Sequence, residues 1–513
     1  MIIQKKRTMK FLKIFLLAGL FSACTHDFSD TNTNENNPTN VTPDLLLSGV
    51  IRNTMNQQVN SAWGIGNIVV QHHGKIQFVN EDRYLWGEQN GIWDATYDNY
   101  RNLQNIFAAV GTDSTSAYLG VSLVLKSWMF AQVTDAYGDV PYSQAGKAKT
   151  EGKYQPKYDK QEDIYTGILS DLKKANEFLA KAKPVLDGDI LYGGGASAII
   201  KWRKLANSLR LRYLLRLSKQ KTVDAEMTAI VADPATYPVF TGNEDNAELE
   251  YLAAAPNQWP LFSSRVGSFD EFRVSKTLVD RLSAIDDTRL NVFGRPTQKS
   301  VTDGAPVIVG IPNGLNEELA LKYNGGVQGV SRVGYTFACL VCNDIGQAPP
   351  DPAAPRALLM TYAELQFTLA EARERNMITT GDAATYYANG ITANFDYWKG
   401  IVPAQYGLNV NMPANYLTQA SVAYTGSQAE KLGKIALQKW IAYYFNGLEA
   451  WFDWRRTGMP EIVPGPYNLN ENKVPVRFIY PRSEQSLNGA NRKAAVDRAG
   501  GTDDLNTRPW IAK

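Results

Sequence analysis

Residues 435–460 read IALQKWIAYYFNGLEAWFDWRRTGMP, and the rest of the chain is expected to pack around them. Apolar side chains recur at Leu437, Ile441, Tyr444, Phe445, Leu448, Trp451 and Phe452, which is helical spacing with one face turned to a core. Asn446-Gly447 interrupts the run where a helix ends or kinks. A second short helix then reaches Arg456 and stops at Gly458 and Pro460. Trp440, Trp451 and Trp454 carry large apolar areas that anchor neighbours. Glu449, Asp453, Arg455 and Arg456 put charges of both signs within helical reach, and surface ion pairs are the expectation for them.

Composition narrows the function classes. The 513 residues suggest about three domains by length alone. Lys and Arg number 53 against 51 Asp and Glu, a net charge of +2, so nothing points to nucleic acid. Aromatics make up 11% with 26 Tyr and 11 Trp, while charged residues are only 20%. That balance suits carbohydrate or peptide contact better than phosphate binding. Three His and three Cys provision metal and acid–base chemistry poorly.

Lys5, Lys6, Arg7 and Lys10 precede an apolar run, Phe11 to Phe21, followed by Ser22-Ala23-Cys24. This is a secretory signal, too short to span a bilayer, and a complete version of it also starts at Met9. Cysteine after small residues resembles the lipobox of bacterial lipoproteins, in which the Cys24 thiol receives diacylglycerol and an N-acyl chain completes the anchor. Phe21 stands where leucine is usual. Residues 1–23 are thus expected as a lipoprotein signal peptide, and 24–40, rich in Asn, as a flexible tether. Apart from that lipid no cofactor is expected, and no later segment is apolar enough to cross a membrane.

From residue 41 on, the pattern is helical. Val41-Thr42-Pro43-Asp44 opens a helix. Ile92–Val110 with Ser116–Asp135, Asp159–Ala182 with Ala198–Lys219, and Arg356–Asn376 with Asp382–Trp398 form helical hairpins of tetratricopeptide-like length. Ser427–Arg456 adds the last helices. The stretches 243–270, 292–355 and 403–413 are irregular, and 292–355 is long and Gly/Pro-rich. Loops of that length are functional or belong to an embedded subdomain. The fold class is therefore mostly α, helical hairpins carrying a loop-rich binding face. His72 and His73 have no third ligand nearby, so polar surface is their default and no metal is expected. Cys339 and Cys342 have redox-motif spacing without a suitable surround; a small-loop disulfide and free thiols stay open.

Three passages together resemble the SusD/RagB family of Bacteroidetes outer-membrane lipoproteins, and more closely its SusD-like nutrient-binding branch. They are TDAYGDVPY at 134–142, QKWIAYYFNGLEAWFDWRRTGMP at 438–460 and VPVRFIYPRSEQSLNGAN at 474–491. The resemblance covers essentially the whole mature chain, with 41–513 as one SusD-like domain. It implies a mostly helical fold, an outer-membrane, lipid-anchored location facing the cell exterior, and a SusC-like TonB-dependent barrel as partner. It also implies binding and delivery of glycans, or in some members peptides, without catalysis. A surface glycan-degrading enzyme is the alternative, which two facing loop carboxylates would support. The motifs themselves make sense as fold determinants: Gly138 and Pro141 end a helix, and Asp135 and Asp139 suit capping and loop hydrogen bonds. Arg477, Arg482 and Glu484 are expected in ion pairs that tie the tail to the helices.

Ligand contacts are sought by loop chemistry. Sugar rings stack flat C–H faces on Trp and Tyr, and their hydroxyls need amide or charged edges. Trp63, Asn67, Arg83, Tyr84 and Trp86 form the best local cluster, extended by Gln77, Gln89 and Asn90. Trp259 with Asn257, Gln258 and Arg265 is the second, and Tyr335 in the loop 324–344 the third. Trp93, heading a hairpin helix, is expected in the core.

Overall fold

Helix follows helix through the chain. The computed structural model describes residues 41–342, 344 and 347–513; the signal, Cys24 and the tether lie outside them. The main helices are α1 (Pro43–Ser61), α2 (Gly91–Val110), α3 (Ala117–Tyr137), α4 (Gln161–Ala180), α5 (Gly195–Leu217), α6 (Tyr362–Glu374), α7 (Ala383–Ile401), α8 (Gln428–Ala442) and α9 (Glu449–Thr457). Each of α1 to α5 packs on its successor, α6 packs on α5, α7 and α8, and α9 follows α8. That succession is the hairpin architecture expected of the sequence, and Pro43–Lys513 forms one compact unit.

Local chemistry accounts for the boundaries. Ser427 and Glu430 form a capping box at the start of α8, and Asp382 caps α7 by accepting from the Thr385 amide. α3 is apolar around most of its circumference and is buried along nearly its whole length, as a central helix must be. Gly447 (φ +53°) makes the break between α8 and α9. Gly66 meets it so closely that a Cβ on Gly66 would lie 2.0 Å from the Gly447 carbonyl oxygen. The break therefore docks on the π-helical turn Ala62–Gly66 that continues α1.

Strands are few and short. β1 (His73–Lys75) pairs antiparallel with β5 (Phe272–Val274), β2 (Val140–Pro141) with β3 (Tyr158–Asp159), and β4 (Ala247–Glu250) with β6 (Arg356–Met360). Residues 356–360 were expected at the head of a helix; their register against β4, Glu250 opposite Arg356, makes them a strand instead. The stretch 292–355 contains short helices, and its Ile311, Ala320 and Val330 form a separate small apolar cluster with Ile76 and Val79. It is an embedded subdomain rather than bare loop.

The largest departure from expectation is electrostatic. Charges of the 435–460 stretch are buried, not on the surface. Arg212, Arg216, Lys439, Arg455 and Arg456 stand among Asp135, Glu364, Glu371, Glu449 and Asp453, each at most 9% exposed. Arg216 joins Asp135 to Glu449, Arg212 holds Glu364 and Glu449, and Arg456 joins Glu371 to Asp453. Asp135 is thus an ion-pair partner and an acceptor from the Tyr165 hydroxyl (2.8 Å), not a cap. Asp139 does cap, accepting from the Gln161 amide at 2.9 Å where α4 begins. In the tail, Arg477 pairs with Asp503 (2.9 Å) and Arg482 with Glu88 (3.0 Å). Glu484 instead accepts from the Tyr158 hydroxyl at 2.6 Å.

His72 and His73 are fully buried, contrary to the polar-surface default, and stack among Trp440, Tyr444, Trp63 and Phe445. Cys339 and Cys342 are disulfide-bonded to each other. Among the described residues no helix is long and apolar enough to cross a membrane.

Candidate binding face

Most of the aromatic residues that loop chemistry nominated are turned inward. Trp259 is 1% exposed and sits against Tyr251, Phe337 and Phe445. Trp86 packs on Trp451 and Phe478, its Nε1 donating to the Glu81 carbonyl at 2.9 Å. Tyr84 and Asn67 are buried, and the Asn67 Oδ1 accepts from the Phe445 amide. In this conformation none of these four offers a face to a sugar. The reason is non-local: their polar neighbours in sequence fold back over the helical core, and the rings fill it. Trp63 is half-buried, wedged against Phe269 and Phe272 with ring centroids 5.0 and 4.2 Å away. Tyr335 is buried too; its hydroxyl donates to Asp344 (3.1 Å) and Arg295 lies over its ring. Trp93 is in the core as expected.

Arg83 alone of the nominated residues sits on an exposed aromatic face. Three segments converge there. Arg83 Nε donates to the Tyr467 carbonyl (2.8 Å), the Leu469 amide donates to the Arg83 carbonyl (2.6 Å), and the Tyr467 amide donates to the Gly314 carbonyl (3.0 Å). The small cluster around Ile76 and Ile311 supports the face from beneath. Asp82 ties the same segments: it accepts from Asn313 Nδ2 (2.6 Å) and from the Lys75 amide (3.2 Å). Burial pushes its carboxyl up to about 6 against these bonds.

On that base stand Phe78, 64% exposed, and Tyr467, 42% exposed, with Leu85 and Leu469 also open to solvent. Phe78 (φ +50°), Tyr84 (φ +61°), Glu471 (φ +52°) and Asn472 (φ +58°) all lie in the left-handed region. Each such residue costs on the order of 1–2 kcal/mol. An exposed Phe held in that conformation gains no burial in exchange, which is the signature of a ring positioned for contact. Asn468 Oδ1 accepts from the amides of Asn470 and Asn472 and so holds the strained turn. The face thus combines flat apolar rings, an arginine whose terminal nitrogens have no partner among the described residues, and amide side chains. Phe78 falls inside the first nominated cluster, where the tryptophans drew the assignment, and Tyr467 falls in a segment without tryptophan. The signal was present in Gln77-Phe78-Val79-Asn80 and Pro466-Tyr467-Asn468, aromatics set between amides and turn formers.

A family model described as SusD-like, starch-binding and associating with the outer membrane, matches residues 35–481. The chain belongs to the SusD-like family. Solved SusD-like structures superpose over nearly all of it. A SusD homologue from Bacteroides fragilis shares 27% identity and a TM-score of 0.78, covering 92% of this chain and 100% of its own. A second homologue from the same species shares 25% identity with a TM-score of 0.80, again over 92% and 100%. A chitin-binding protein shares 27% identity with a TM-score of 0.76, over 91% and 99%. No curated protein matches the sequence significantly. The SusD-like passages at 134–142 and 438–460 supply Asp135, Lys439, Glu449, Asp453 and Arg456, members of the buried ion-pair network, and Arg455, which donates to the Asp135 and Val476 carbonyls. Their place in the fold is the centre of the helical scaffold, away from the exposed rings.

Proposed function

We infer that this protein is a cell-surface lipoprotein, acylated on Cys24, that binds a nutrient glycan or oligosaccharide on the Phe78–Tyr467 face. It delivers that ligand to a SusC-like TonB-dependent outer-membrane barrel without chemical turnover. Exposed Tyr467 and exposed, strained Phe78, bonded through their amides to Gly314 and Glu317 of one short segment, are the observation that supports the binding face. Family membership supports the nutrient class, and the lipobox-like Ser22-Ala23-Cys24 supports the anchor. Half-buried Trp63 remains a candidate contact at the periphery.

The test is binding to a panel of polysaccharides, oligosaccharides and peptide mixtures, with each mixture checked afterwards for breakdown products. Phe78→Ala and Tyr467→Ala are each expected to weaken binding about tenfold, roughly 1.4 kcal/mol. Thermal unfolding should not change, since both rings are exposed. Parent-like affinity in both variants would sink the face. Saturable binding of peptides alone would move the ligand class to peptide, and breakdown products would replace delivery with hydrolysis. Copurification of a barrel with the lipidated chain tests the partner.

A further inference from the structure

A second cavity opens where α1 ends and α2 begins. It has a volume of 260 Å³, and its walls include Gln57, Asn60, Ser61, Gln89 and Asn90. Deeper between the same helices lies a chamber of 20 Å³, closed on one side by Trp128, Met129 and Gln132 of α3. Gln57, Ser61 and Ile92 border both spaces.

Two residues that line the mostly apolar chamber carry an unmatched donor and an unmatched acceptor. Trp128 Nε1 and Gln132 Oε1 are buried without a hydrogen-bond partner among the described residues, on residues 4% and 1% exposed. The Gln132 amide is oriented by its other end, where Nε2 donates to Glu449, so the oxygen is the atom left over. Leaving such groups unpaired costs about 1–3 kcal/mol each. A space of this size admits a single water-sized group. A hydroxyl both accepts and donates, and so matches the pair.

The outer cavity is neutral. Its charged wall residue, Glu88, is already engaged by Arg482 at 3.0 Å and by Asn90 Nδ2 at 3.0 Å. Asn90 Oδ1 is itself without a partner. Ile92, Leu448 and Phe478 give the cavity an apolar side. Its volume falls below the about 300–1,000 Å³ usual for drug-sized ligands, which suits one ring rather than a chain.

We propose that this cleft binds a single neutral polyhydroxyl ring, a monosaccharide or the end of an oligosaccharide. One ring hydroxyl enters the chamber, accepts from Trp128 Nε1 and donates to Gln132 Oε1. Gln57 is the gate: its Nε2 donates to Ser61 Oγ (3.1 Å), and its side chain lies on Gly91, where a Cβ would meet it at 2.9 Å. Rotation of Gln57 joins the two spaces. The site stands on its own lining and does not depend on the Phe78–Tyr467 face.

The experiment is an NMR titration of the ¹⁵N-labelled full chain in detergent with methyl α-glucoside, methyl β-galactoside and N-acetylglucosamine. The Trp128 indole N–H resonance is assigned by its absence in Trp128→Phe. A saturable shift of that resonance with at least one sugar is expected, weakened tenfold or more in Asn90→Ala. That variant is a rim change that leaves the core intact. No saturable shift with any of the three, or a sugar-soaked crystal with only ordered water in the chamber, overturns the proposal. Polysaccharide binding lost in Phe78→Ala while Trp128 stays silent would sink this cleft alone. A Trp128 response with parent-like polymer binding in Phe78→Ala and Tyr467→Ala would sink the other face alone.

Discussion

Glu449→Ala is expected to lower the unfolding free energy by about 3–5 kcal/mol, the largest single effect the scaffold offers. Glu449 is 0% exposed and accepts from Arg216 and Gln132, with Arg212 Nη1 at 3.5 Å. Burial alone would raise its carboxyl; Arg212 and Arg216 overcome that and hold it below the ordinary range. Removing it leaves two guanidinium groups in a dry interior with two of the three carboxylates that faced them, and each loses one of its two acidic partners. Asp135 keeps its bond to Arg216 and Glu364 its two bonds to Arg212, but no remaining carboxylate joins the two arginines. The desolvation of the arginines is then less fully offset.

The contrast is Lys322→Ala, which breaks an exposed pair to Glu318 (2.7 Å) and should leave stability unchanged within error. Urea titrations followed by both tryptophan fluorescence and circular dichroism give the comparison, provided the two probes coincide. The double variant Arg216→Met with Glu449→Ala should lose less than the sum of the singles, because the second change removes a charge that the first stranded. A loss below about 1 kcal/mol for Glu449→Ala would mean that the arginines find other acceptors, and the network would not be what holds the helices.

That network also marks the limit of what the sequence made legible. The helical pairs were readable because apolar spacing is a local signal: α2 to α5 and α7 start and end within a few residues of their expected bounds. The burial of their charges was not readable. Arg216 and Asp135 lie 81 residues apart, and only the packing of α3 on α5 brings them together. Residues 356–360 have the composition of a helix start, and pairing with β4 overrode it. The binding residues failed for the same reason in reverse. Trp86 and Trp259 sit in polar text yet fill the core, while Phe78 and Tyr467 come from distant loops, joined through an Arg83 hydrogen bond that spans 384 residues. Loop composition indicates that aromatics and amides are available; which way each ring turns is a tertiary fact.

The second large effect is a pH dependence assigned to one side chain. His72 is 0% exposed and stacks on Trp440 with centroids 4.4 Å apart. Burial first, then His73 and Arg281, holds it well below its usual range, and burial brings His73, bonded to the Tyr444 hydroxyl at 2.8 Å, down to about 3. Below about pH 6.5 the unfolded chain takes up protons on these rings that the folded chain refuses, so each contributes a loss of stability as pH falls. From pH 7 to pH 5 that loss is about 2 kcal/mol per histidine. Asp82 and Glu248 run the other way. Burial raises them to about 6 and about 7, so the folded chain binds protons there first and is stabilised as pH falls over the same window. Total stability therefore hides the histidine effect, and the comparison must be between variants that share both carboxyls. His72→Phe keeps a flat ring against Trp440 and cannot titrate. The stability difference between parent and His72→Phe should shift by about 2 kcal/mol against the parent between pH 7 and pH 5. A difference independent of pH would mean that His72 is protonated in the folded state, with a countercharge or water reaching it.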